Sequence, residues 1–145
     1  MTYQRKGGHT VYNLTVHIVW VTKYRKNVLR GSVQERAREL VRQVCDATDV
    51  EILKGAVGGD HIHIHISYPA KISISEIVRK IKGRTARKLL QEYPNLKKEY
   101  WGGHMWGIGY GAWSTGNITQ DVVNEYIASH SKSPNTLNNN FILVK

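Results

Sequence analysis

The residues best able to do chemistry lie in Asp60-His61-Ile62-His63-Ile64-His65-Ile66-Ser67. Polar and β-branched residues alternate here with period two, which predicts a strand. Ile62, Ile64 and Ile66 then share one face, and His61, His63, His65 and Ser67 the other. Neighbours on one strand face sit roughly 6–7 Å apart, so two imidazoles can converge on one metal ion. One such histidine would read as polar cover on a sheet. Two or three in register point to a metal or phosphate site. A second constellation is Tyr126 and His130, four residues apart and hence on one helix face. The two sets suit phosphodiester chemistry. An imidazole-held metal polarises a phosphodiester oxygen, and a nearby phenolate attacks phosphorus to give a covalent intermediate. That intermediate conserves the bond energy, so a strand can be rejoined without a nucleotide cofactor. A free phenol has a pKa near 10, so it needs a metal or adjacent cations to activate it. The ligand set is left between one that includes His130 and the three strand histidines alone.

These residues must be positioned by a modest chain. Its 145 residues suit one domain, with a core about 11–114, a helix about 117–131 and a tail 132–145. VYNLTVHIVWVT (11–22) alternates like the histidine strand, with Tyr12, Leu14, Val16, Ile18 and Trp20 on one face and Asn13, Thr15, His17 and Val19 on the other. Ser32 with Glu35 reads as a capping box for a helix to about Ala47. Val50 to Val57 reads as a strand. Gly58-Gly59 joins it to the histidine strand as a two-residue hairpin, because both glycines can take positive φ. After Pro69, Ser73 or Ser75 starts a helix to about Gln91. Gly83 inside it suggests close approach of another backbone. Pro94 to Glu99 reads as a polar connector, and Met105 to Ser114 as a fourth strand. Thr115-Gly116 is a joint, and Asn117 with Gln120 caps the last helix. Strand, helix, strand, strand, helix, strand is the ferredoxin-like (RRM-like) α+β plan. Its helices would cover the isoleucine face and leave the histidine face open, with His17 close by.

Lys and Arg number 21 against 11 Asp and Glu, a net charge of +10, which implies a polyanionic partner. Two segments concentrate it. Lys23, Tyr24, Arg25 and Lys26 follow the first strand; they suit either a solvated turn or nucleic acid, with cations for phosphates and a ring for stacking. Arg79, Lys80, Lys82, Arg84 and Arg87, with Lys88, make one side of the second helix almost free of acid, an electrostatic footprint for nucleic acid. The lone Cys45 excludes an intrachain disulfide framework or a cysteine zinc cluster and reads as core. The N-terminus lacks an apolar signal region, and no apolar run reaches membrane-spanning length. A reduced, cytoplasmic protein with no membrane association is expected.

Three segments, in order, resemble one family. HIVWVTKYRKNVL (17–29), DHIHIHIS (60–67) and WGIGYGAWSTGNITQDVVNEYI (106–127) are similar to the HUH single-tyrosine transposases (TnpA-type) of small bacterial and archaeal insertion sequences. The resemblance implies that His61 and His63 are metal ligands and that Tyr126 is the nucleophile, forming a 5′-phosphotyrosine link. It implies Mg²⁺ or Mn²⁺, a single-stranded DNA substrate with subterminal hairpins, and a homodimer in which one subunit's tyrosine helix can complete the other's site, with Thr115-Gly116 as hinge. The family's third ligand is a glutamine one turn after the tyrosine. His130 stands there in this chain and is taken as a ligand that favours a softer metal such as Mn²⁺. Asp60 is left as a supporting group, and His65 as either a supporting group or a polar residue on an exposed face. The competing readings are a non-catalytic RRM-like module for single strands or hairpins, a relaxase or replication initiator, and a host-domesticated relative acting on repeated hairpins.

Overall fold

A computed structural model describes residues 4–114, 116 and 118–130. A small hairpin comes first: β1 (Arg5–Gly7) pairs antiparallel with β2 (Thr10–Tyr12). The main sheet follows with β3 (Thr15–Val21), β4 (Glu51–Val57), β5 (His61–Ser67) and β6 (Gly111–Ser114), in the order β4-β5-β3-β6, all pairs antiparallel. Between them run α1 (Gly31–Ala47), α2 (Ile74–Glu92) and the short α3 (Pro94–Glu99); α4 (Gln120–Ala128) comes last. This is the expected ferredoxin-like arrangement. No helix among the described residues is long and apolar enough to cross a membrane.

Period-two patterning sorts the sheet into two faces, and each face gathers its own cluster. Val16, Ile18 and Trp20 of β3 and Ile62, Ile64 and Ile66 of β5 are buried together with Ala37, Leu40, Val41 and Val44 of α1 and Ile77, Val78, Ile81 and Leu89 of α2. Cys45 is buried among them. The opposite face carries a second, small cluster: Val19 and Val21 of β3 against Val123 and Ile127 of α4, with Trp113, Ile118 and Tyr126 alongside. So α4 covers part of the histidine face. Its N-terminus is capped by Thr119, whose Oγ1 accepts from Val122 N at 3.3 Å.

Several local expectations are corrected. The first alternating run is two strands, because the chain leaves β2 at Tyr12 and re-enters the main sheet only at Thr15. Ser32 does not cap α1. The helix begins at Gly31, which turns in at φ +57, and Arg30 O accepts from Val33 N at 3.1 Å. Ser73 does cap α2, accepting from Glu76 N at 3.1 Å. Gly58 and Gly59 do not adopt positive φ. The link spans residues 58–60, closed by Gly58 N donating to His61 O at 2.8 Å. The absent Cβ atoms leave the room that the His61 ring occupies at position 58 and the Asn27 side chain at 59. Gly83 meets nothing: its missing Cβ would stand in open space. Pro94 opens a helix, α3, where a connector was expected; proline suits the first helical position because its absent N–H has no partner to lose. Residues 105–110 are a loop, and only Gly111–Ser114 form the fourth strand. The last helix ends at Ala128. Thr115, Asn117, the expected last helical residue Ser131 and the tail 132–145 lie outside the described residues.

Candidate active site

The register of β3 on β5 sets the site. His17 pairs with His65, Val19 with His63 and Val21 with His61. The paired backbones bring His17 and His65 ring to ring, stacked with centroids 4.0 Å apart and planes within 5°. His17 Nδ1 and His63 Nε2 share a hydrogen bond at 3.2 Å. Burial, then the nearby His65 and His63, push the His17 pKa down to about 4. Burial also lowers His63, helped by His61, His65 and Lys54, and it lowers His65. Near neutral pH these three rings are therefore uncharged, the form that can bind a cation.

His61 is held from its other side. Its Nδ1 donates to Asp60 Oδ1 at 2.9 Å, and Asp60 Oδ2 accepts from Arg25 Nε at 3.3 Å. Partial burial draws the Asp60 carboxyl upward, but His61 and Arg25 outweigh it and keep its pKa below the ordinary value. A carboxylate behind a histidine fixes the ring and its tautomer, leaving Nε2 to a ligand, as in many metal sites. Asp60 is thus held between His61 and Arg25.

Tyr126 lies one helix turn from His130, ring centroids 4.6 Å apart, and its ring meets Trp113 edge-on at 5.9 Å. Burial pushes the phenol up to about 12. His130 Nδ1 donates to Tyr126 O at 2.9 Å, so the ring is turned back on its own helix. No three His, Cys, Asp or Glu side chains among the described residues are grouped to hold a metal. The structure thus brings His17, His63 and His65 together. It does not assemble His61, His63 and His130, or the three strand histidines, as one ligand set. His130 instead lines a cleft with Tyr24, Trp106 and Ile108.

Sequence reasoning left His17 at the margin and missed Lys54 and Gln120. All three line a pocket of about 230 Å³ with His63 and His65. Only the register could place His17, and only the docking of α4 could place Gln120.

The expected DNA-binding cations divide into two groups. Arg25 and Lys26 are spent internally, on Asp60 and on Glu99 at 3.0 Å. Lys23 lies with its ammonium 5.3 Å from the centroid of the Tyr24 ring. Lys82 does not belong to the outer basic stripe: it donates to Gly107 O at 2.8 Å and Gly109 O at 2.9 Å, and burial lowers its pKa. Arg79 pairs with Glu76 on its own helix. Arg79, Lys80, Arg84 and Arg87 line a groove of about 580 Å³ between α1 and α2, open above Gly83.

An imidazole row on one face of a ferredoxin-like sheet, with a tyrosine helix packed over that face, is here the layout of a DNA transposase. The chain belongs to the IS200-like transposase family, whose pattern matches residues 10–130. It is 33% identical over 129 residues to the ISDra2 transposase TnpA of Deinococcus radiodurans, covering 88% of this chain and 92% of that one. It is 30% identical over 115 residues to the transposase for insertion sequence element IS200 of Salmonella typhimurium, covering 79% and 76%. A transposase crystal structure from Deinococcus radiodurans superposes with a TM-score of 0.83 at 28% identity, over 89% of this chain and 99% of that one. The REP-associated tyrosine transposase bound to a REP hairpin shares the fold, with a TM-score of 0.54 at 17% identity over 86% and 66%.

Proposed function

We propose that this transposase cuts and rejoins single-stranded DNA at the ends of an insertion sequence, with Tyr126 as nucleophile. The observation that carries the reading is the seat of α4. Val123 and Ile127 pack on Val19 and Val21, the register partners of His63 and His61, so the tyrosine helix lies on the imidazole face. In the reaction Tyr126 Oη forms a bond to phosphorus. The bond from phosphorus to the 3′ oxygen breaks, and that oxygen leaves with the electron pair and takes up a proton. The products are a 5′-phosphotyrosine and a free 3′-hydroxyl, which can reverse the step on another end.

The donor chemistry fits a divalent cation at His61 and His63: the Asp60 carboxylate orients His61 Nε2, and the His63 ring is held neutral. Mg²⁺ or Mn²⁺ is the cofactor in this reading, and when bound it offsets charge on the scissile phosphate. In this reading His130 becomes the third donor only when its ring swings out of the cleft it lines here; with Nδ1 tied to its own helix, Nε2 is the nitrogen it offers. A phenol pushed up to about 12 is almost wholly protonated at neutral pH, so it reacts only after losing its proton to a neighbouring base or under a neighbouring positive charge. Subterminal DNA hairpins and a second copy of the chain are its partners, in the cytoplasm. The REP-associated transposase, bound to a hairpin, supports the first of these by fold likeness.

The test is a cleavage assay on labelled single-stranded DNA from the element's own ends, with Mn²⁺ or EDTA, read on a denaturing gel. A metal-dependent DNA–protein adduct that disappears in Tyr126→Phe is the expected result. Binding with no adduct in the wild type would make the chain a hairpin- or strand-binding module instead.

A further inference from the structure

A second cleft, of about 610 Å³, opens beside the end of the tyrosine helix, lined among others by Lys23, Tyr24, His104, Trp106, Ile108 and His130. Both of its walls are fixed before any ligand arrives. The first is the turn after β3. Lys23 N donates to Met105 O at 2.7 Å, Thr22 Oγ1 to Lys26 O at 2.8 Å, and Tyr100 Oη to Lys23 O at 3.0 Å. These bonds, with the Arg25–Asp60 and Lys26–Glu99 pairs, hold Tyr24 and Arg25 in the left-handed region at φ 61 and 51. Such strain persists only where the surroundings impose it, and it clusters at ligand-holding sites. The second wall is the loop 107–109. Lys82 grips both its glycine carbonyls, and Gly107 lies so close that a Cβ would stand 3.1 Å from Val21 Cγ2. This loop holds Ile108 97% exposed at the rim.

Charge is arranged to match. Arg25 and Lys26 are committed to carboxylates, whereas Lys23 makes no ion pair among the described residues. A fixed apolar slot with a ring on one wall, imidazoles at its margin and one uncommitted ammonium has the polarity of a nucleotide, whose base is apolar on both faces, polar at its edge and followed by a phosphate.

We propose that this cleft is a nucleobase subsite. It takes one unstacked base of the single strand, next to the scissile phosphate, between Tyr24 and Ile108, with Lys23 on the neighbouring phosphate. The proposal rests on the function given above and adds a determinant of where the strand is cut. His130 lines the cleft and touches Tyr126, so a base seated there fixes which phosphate meets the nucleophile.

The experiment uses the full chain as Tyr126→Phe, which binds without cutting. Its affinity is measured for single-stranded oligonucleotides of the element's end, each lacking one base in turn. One position beside the cleavage site should weaken binding about tenfold, the scale of a lost stacking contact. Adding Ile108→Ser should weaken binding to intact DNA similarly and cost nothing further on that abasic strand, because both remove the same contact. Lys82→Met, which frees the wall, should act in the same way. Equal losses for Ile108→Ser on intact and abasic strands would overturn the subsite. So would unchanged affinity, or a change confined to the sedimentation of the protein, which would assign the cleft to another part of the chain or to a second copy. Failure of the protein to bind any single strand would instead sink the function on which the subsite rests.

Discussion

At the scale of single residues, the site turns on three partly buried imidazoles, His17, His63 and His65. His17 is held near a pKa of about 4, first by burial. Its folded value lies below its unfolded one, so the stability this residue contributes is complete above about pH 6.5 and is lost as pH falls through 4. Acid titration of thermal stability should therefore show a loss between pH 6.5 and 4 that is smaller in His17→Phe. Cys45 is pushed up to about 12 by burial, with Asp46 adding to it. Here the folded value is the higher one, so its contribution is complete below the ordinary thiol pKa and lost only as pH rises toward 12. Cys45 should resist a thiol reagent at pH 8 until the protein is unfolded; rapid labelling of the native protein would contradict its burial. The histidine strand was readable because period two decides its faces by itself. The partnership of His17 with His63 and His65 was not, because it depends on which residue of β3 lies opposite which residue of β5, and register is settled by the whole sheet.

At the scale of elements, the caps and the buried tryptophan carry measurable weight. Ser73→Ala removes the acceptor for Glu76 N and should cost about 1 kcal/mol in denaturant unfolding, the usual scale of a lost N-cap. Trp106 Nε1 donates to Thr85 Oγ1 at 2.9 Å inside the core, so Thr85→Val strands a buried donor and should cost roughly 1–3 kcal/mol. The second helix was legible from its apolar spacing and its serine cap. Helix α3 was not, because four polar residues after Pro94 look like a linker when nothing shows that Leu96 is buried beneath them. The glycine link was misread for a related reason. Local chemistry offered a left-handed turn, whereas the true constraint is room for the Asn27 and His61 side chains. Lys82 looked like one more outward cation because the loop it grips lies 25 residues further along the chain.

At the scale of the whole molecule, the two faces of the sheet divide the work. One is covered by α1 and α2 over a large core, and the other carries the imidazoles and α4. The groove between α1 and α2 gathers Arg79, Lys80, Arg84 and Arg87 on the side away from the imidazoles. Cations that meet backbone phosphates release counterions, so affinity for DNA should fall steeply with salt. Replacing Lys80 and Arg87 together by glutamine should flatten that dependence, each lost phosphate contact lowering the slope of log K against log salt by roughly 0.7–0.9. An unchanged slope would remove the groove from the DNA path.

The two clusters also differ greatly in size, and the difference governs how the molecule breathes. Among the described residues, α4 is fastened through a buried cluster of only four side chains, two of its own and two of β3, whereas more than twenty buried side chains knit the sheet to α1 and α2. Release of α4 is therefore a sub-global opening that leaves the larger core intact. Its backbone amides should exchange with deuterated water faster than those of β3 and β5, and by a route largely insensitive to mutations that destabilise the main core. Tyr126 rides on a part of the fold that opens without the main core.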